Sequence, residues 1–229
     1  METRYFVQRE GRLAYSDYGG RGELVVMLPG MGALRSEYRY LAPALRAAGY
    51  RAVTVDLRGQ GESSVPWTAY DVPSVGRDIL ALIDHLNAGP AHLIGTSFAP
   101  APVVWAAAER PAQVRSLVLI NPFVRDNKIN PVMLAVFWLM MHNPWRVRTW
   151  AMYYKRLYPS RKPSDFQEYL DRLVANLSEP GRFAAVTALG ASSRRPSAER
   201  LARVRAPTLV IMGSKDPDFP DPVVEGRVV

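Results

Sequence analysis

The sequence predicts an α/β protein: a mostly parallel central sheet with helices on both faces, carrying a helical insertion. Three observations lead there. Short apolar, β-branched runs bounded by turn residues recur along the chain and read as buried strands. Segments of helical periodicity separate them, and such alternation places parallel strands under helices on both sides. Between residues 128 and 195 the strands stop and only helical periodicity remains.

The elements follow in order. The stretch RYFVQREGRLAYSDYG predicts an antiparallel hairpin turning at Glu10–Gly11. Buried strands are expected at residues 24–30, 51–59, 91–95, 116–122 and 207–213, and helices at 36–49, 74–89, from Pro102 to the proline at 111, and 198–206. In the insertion, PVMLAVFWLMMHN, WRVRTWAMYYKRLY, SDFQEYLDRLVANLS and PGRFAAVTALGAS each have helical spacing. Residues 1–127 and 196–229 therefore form the core, and 128–195 a helical lid.

At 229 residues the chain suits one domain with a sizeable core. It has no cysteine, which excludes disulfides, thiolate metal sites and a cysteine nucleophile. The N-terminus has no apolar signal core, and the longest apolar run, Val132 to Met141, is about half of a membrane span. These features point to a cytoplasmic protein without stable membrane insertion. The net charge of +8 raises nucleic acid as a partner, but the arginines are scattered and no nucleic-acid-binding motif accompanies them. The densest basic patch, Arg146 to Pro163, interleaves bases with aromatics and reads as a solvated helical face or a contact for an acidic lipid or ligand.

Four stretches carry chemistry. GTSFA, Gly95 to Ala99, stands between a buried strand and a helix. A serine on such a turn is held in a strained conformation above the sheet, and the positions two before and two after it must be small. Gly95 meets this; Ala99 replaces the usual glycine. Ser97 is therefore the candidate nucleophile. LPGMGALRSEY follows the 24–30 strand, and a glycine-rich turn there lets backbone N–H groups approach a substrate. Acyl transfer builds charge on a carbonyl oxygen that two such donors stabilise, and the N–H groups of Phe98 and Met31 are the candidates. DLRGQGESS lacks the phosphate-binding glycine pattern and a P-loop lysine, so it reads as a structural loop braced by an Asp56–Arg58 pair. MGSKDPDFPDP closes the last strand and offers Asp216, with Asp218 in reserve, as the carboxylate that orients a histidine.

In this order and spacing the four motifs resemble the α/β-hydrolase superfamily, in its lidded, esterase-like branch, over nearly the whole chain. The resemblance implies Ser97 as nucleophile, Asp216 as acid, Met31 and Phe98 as oxyanion donors, and 128–195 as the lid. It implies no metal and no organic cofactor, and a small apolar acyl or ester substrate. Relatives with an aspartate nucleophile fit poorly, because a serine occupies that position.

The family's order is nucleophile, acid, histidine. Thirteen residues follow Asp216 and none is a histidine. His92 precedes Ser97 by five residues on the same strand, roughly 16 Å away; His85 sits on the preceding helix; His142 falls in the lid. The expectation is a form truncated before its last strand, catalytic histidine and final helix. A non-catalytic binder on the same fold is the competing reading.

Overall fold

The computed structural model describes residues 2–126, 135, 138–139, 141–142, 144–216, 218–219 and 221–229. Among these residues seven strands form one sheet in the order β1-β2-β4-β3-β5-β6-β7. They are β1 (Arg4–Val7), β2 (Arg12–Asp17), β3 (Leu24–Leu28), β4 (Arg51–Val55), β5 (Ala91–Thr96), β6 (Val114–Ile120) and β7 (Thr208–Ile211). The first two are the expected hairpin; β2 lies antiparallel to β4, and every later pairing is parallel.

The helices follow from capping and from apolar spacing. Helix α1 (Leu41–Ala47) is shorter than the predicted 36–49, and residues 35–38 form a separate 3-10 turn. One helix through 36–49 would put Pro43 in its interior, with no N–H to donate; starting at Leu41 places the proline in the first turn, where that donor is unused. Helix α2 (Val72–Leu86) opens with Asp71 accepting the N–H of Ser74 at 2.7 Å and ends at Asn87 in the left-handed region. Its buried Val72, Val75, Ile79, Leu82, Ile83 and Leu86 recur at helical spacing and pack on the sheet. Helix α3 (Pro100–Glu109) is built from alanine, valine and proline around Trp105 and is buried along most of its length. It packs closely on α2: a Cβ on Gly76 would stand 2.2 Å from the Trp105 ring.

Between β6 and β7 the described helices are α4 (Arg146–Arg156), α5 (Phe166–Ser178) and α6 (Arg182–Ala191). They share a second apolar cluster of Trp150, Tyr154, Phe166, Tyr169, Leu173 and Phe183. The predicted helix over 131–143 falls largely outside the described residues. The predicted helix 198–206 is replaced by a single helical turn at 195–198 and a 3-10 turn at 201–203. Strand β7, predicted as buried, is the sheet's edge among the described residues: β6 is its one neighbour there, and Leu209 and Ile211 are about half exposed. A final helix, α7 (Pro222–Val228), is capped by Asp221 and tied back by a bidentate Arg125–Glu225 pair at 2.9 and 2.6 Å.

Candidate active site

The sheet order reverses between β3 and β5: β4 lies on one side of β3, while β5 and the strands after it run to the other. The crevice beyond the carboxyl ends of strands at such a reversal is where open α/β sheets bind ligands. Leu28 pairs with Gly95 at that end, so the loop after β3 and the turn after β5 flank the crevice.

Ser97 stands on the second of these. Its φ is +58°, a left-handed conformation that costs a non-glycine residue free energy, on the order of 1–3 kcal/mol. Backbone bonds hold it there: its N–H donates to Ile120 O at 2.8 Å, and its carbonyl accepts from Phe123 N at 3.1 Å. The tightness of the turn explains Gly95, where a Cβ would lie 2.8 Å from the Ala99 carbonyl carbon and the Pro100 nitrogen. Gly30 approaches from the facing loop, since a Cβ there would stand 3.4 Å from Ser97 Cβ.

Around this point nearly every backbone donor is spoken for. Gly30 N donates to the Glu37 carboxylate at 3.2 Å, Gly32 N to Gln60 Oε1 at 2.9 Å, and Ala33 N to Gly30 O at 3.1 Å. Ala99 N donates to Thr96 O at 3.0 Å. Among the described residues no acceptor meets the N–H of Met31 or of Phe98. The Phe98 ring itself is buried in the main core with the Arg194 guanidinium 5.0 Å above it.

The loop of residues 29–34 is pinned by groups the sequence did not mark. Glu37 holds Gly30, and burial pushes its carboxyl up to about 7, even though bonds from Gly30 and Thr96 favour the ionised form. Tyr38 bridges Leu28 O at 2.8 Å and the Thr96 hydroxyl at 2.7 Å. Gln60, 1% exposed, fixes Gly32, and its Nε2 is buried without a partner among the described residues. From the helical insertion, Trp150 Nε1 donates to Gly32 O at 3.0 Å, and Tyr169 accepts Leu34 N at 3.1 Å. Arg39 adds a bidentate bond to Asp165 at 2.5 and 2.6 Å.

The expected Asp56–Arg58 pair does not form. The 59–64 loop curls around Asp56, so closely that a Cβ on Gly61 would stand 2.1 Å from its carboxylate. Asp56 accepts from Arg35 N at 2.7 Å, from the Arg35 guanidinium and from Glu62 N at 3.0 Å. Arg58 turns to α2, where Asp78 offers a bidentate partner at 2.7 and 2.8 Å and the Trp67 ring lies 4.6 Å away. Each charge thus meets a better-matched partner than its sequence neighbour.

On the other flank, Asn121 follows β6 with its Oδ1 accepting Gly213 N at 3.0 Å, so the segment after β7 is two strand spacings, roughly 10 Å, from β5. Asp216 is partly exposed, and its Oδ1 accepts Asp218 N at 2.9 Å. Asp218 is engaged by the Tyr153 hydroxyl of α4, and burial together with the neighbouring Asp216 raises its carboxyl above the usual range. Phe219 stacks on Phe123 at 4.4 Å, next to the residues that hold Ser97.

The three histidines have other partners. His85 meets Tyr15 OH at 3.4 Å and the Phe6 ring at 4.7 Å; His92 bridges Ser116 at 2.7 Å and Glu23 at 3.0 Å; His142 contacts Trp138 O at 2.9 Å and stacks on its ring. Among the described residues no group of acids and histidines could hold a metal ion, and no helix is long and apolar enough to cross a membrane.

Comparison with known proteins bears on this geometry. A family model described as the alpha/beta hydrolase fold matches residues 23–225. The chain is 26% identical over 210 residues to the AB hydrolase superfamily protein YisY of Bacillus subtilis, covering 86% of this chain and 75% of that protein. It is 25% identical over 182 residues to 3-oxoadipate enol-lactonase 2 of Acinetobacter baylyi, covering 73% of this chain and 62% of the lactonase. Among solved structures, a bromoperoxidase from Bacillus anthracis superposes with a TM-score of 0.80 at 24% identity, over 96% of this chain and 84% of that one.

Proposed function

Given that the chain belongs to the α/β-hydrolase fold family, we propose that it is a serine hydrolase acting on a carboxylic ester or similar acyl bond through an acyl-serine intermediate. One observation carries the reading: a serine at φ +58° after β5 lies against Gly30 of the facing loop, and the N–H groups of the next residue in each segment, Phe98 and Met31, have no acceptor among the described residues. Ser97 Oγ attacks the carbonyl carbon, and the oxygen that gains charge settles between the N–H groups of Met31 and Phe98. Such donors act where the charge develops, and removing one from a serine hydrolase costs about 10²–10³ in rate. Asp216, which has one oxygen engaged by Asp218 N, is the acid; Asp218 is already bonded to Tyr153. Residues 128–195 act as the lid, and its apolar cluster of Trp150, Tyr169 and Phe183 packs against Met31, which makes the lid side of the crevice apolar and favours a small apolar acyl group.

The Ser97 proton needs an acceptor, and the three histidines are committed elsewhere. That observation favours a second reading, a binder of acyl compounds with little turnover. Without a triad base the oxyanion hole and binding alone still give about 10³–10⁴-fold over the uncatalysed rate. A fluorophosphonate probe followed by peptide mass spectrometry tests the assignment. The expected result is slow, single-site modification of Ser97, lost in Ser97→Ala. An adduct on another serine would refute it, and saturable binding of a p-nitrophenyl ester with no probe reaction would select the binder.

A further inference from the structure

The outward face of α4 has no role in the site just described. Trp145, Arg148, Met152, Lys155 and Arg156 recur at three- and four-residue spacing, so they share one stripe of the helix, and all five are exposed, Trp145 to 66% and Met152 to 55%. Trp150 and Tyr154 on the opposite stripe are buried and fix the helix against the rest of the protein. No acidic residue occurs between Asp126 and Asp165, and Asp165 is held by Arg39. Arg146, Arg148, Lys155, Arg161 and Lys162 have no ion-pair partner among the described residues, while Arg156 lies within electrostatic reach of Asp218. A groove of about 640 Å³ opens beside Trp145 and Arg146, with Val147, Ala151, Leu177 and Phe183 in its walls.

We propose that this face docks the protein on anionic lipid surfaces. The charge matches a negative headgroup layer, whose attraction adds with each lysine or arginine brought near it. The apolar members distinguish a bilayer from a nucleic acid: an indole and a thioether between basic side chains gain nothing from a phosphodiester backbone. In a bilayer they sit below the headgroups while the arginine and lysine heads stay at phosphate level. The buried stripe makes the face a rigid platform, and the groove beside it can take an acyl chain. The inference does not depend on the chemistry of Ser97.

Vesicle flotation with the full chain tests it, because aggregated protein does not float. The chain should float with vesicles containing roughly 30 mol % phosphatidylglycerol and not with phosphatidylcholine alone, and should be released by salt at about 0.5 M. R148E/K155E should weaken the association at least about tenfold. W145S/M152S should weaken it several-fold while keeping its salt dependence. Equal flotation with both lipids, or either double variant floating like the parent, overturns the proposal. So does retention of single-stranded RNA that R148E/K155E loses and W145S/M152S keeps, in the absence of lipid binding.

Discussion

The loop on one side of Ser97, residues 29–34, is held by side chains from several other segments, whereas the described part of 212–221 hangs from an edge strand. Glu37, Gln60, Trp150 and Tyr169 each bond a backbone group of the first loop, and Asp56 anchors the turn that follows it through Arg35. The second is reached by Asn121 to Gly213, by Tyr153 to Asp218 and by the Phe123–Phe219 stack, and β7 beneath it is paired on one side among the described residues. The difference matches what each side does in the proposed reaction. Donors that stabilise developing charge work by being fixed beforehand. A carboxylate that orients a base can adjust as the base arrives.

The contrast can be broken most forcefully at Asp56. Asp56→Ala leaves the Arg35 guanidinium without its buried partner and the Arg35 and Glu62 N–H groups without their acceptor. It should cost about 3–5 kcal/mol in denaturant titration; a loss below about 1 kcal/mol would mean that the loop is not anchored there. Gly32→Ala should follow at about 3 kcal/mol: Gly32 has φ +67°, and a Cβ would lie 2.5 Å from the Trp150 ring, so the change strains the loop and pushes on α4 together.

Glu37 gives the pinned side a pH signature. Its folded pKa, about 7, is above the unfolded value, so the folded chain binds the extra proton between about pH 4.5 and 7. Stability from this group is therefore full below about 4.5, falls as pH rises and levels off above about 7. Its amplitude is on the order of 3 kcal/mol, and Glu37→Gln should flatten that limb in thermal melts. An unchanged pH profile in the variant would place the titration elsewhere. On the loose side Tyr153→Phe should cost no more than about 1 kcal/mol, because Asp218 can turn to water. A loss near that of Asp56→Ala would erase the difference between the two walls.

Much of this was legible in the chain itself. Buried strands such as LVVML announce themselves by composition, and the elbow by its place between a strand and a helix. The pinning residues were not, because a single glutamate, glutamine or tyrosine has no pattern: Glu37 lies in what reads as a helix face, and Gln60 in what reads as a plain loop. Asp56 and Arg58 read as partners for a related reason, since adjacency in sequence says nothing of the Arg35 and Asp78 groups that the fold brings to each. Strand β7 shows the limit of composition, as TLVI is as apolar as the central strands yet lies at the edge with most of its residues exposed. Composition fixes what can be buried, and topology decides what is.

The proposed reaction requires Ser97 to face two prepared donors, and a crystal structure of its phosphonate adduct tests that requirement most directly. The phosphoryl oxygen should lie about 2.7–3.1 Å from both the Met31 and Phe98 nitrogens, with the 29–34 loop unmoved. An oxygen directed away from these two N–H groups, or a loop that must rearrange to reach it, would contradict the account.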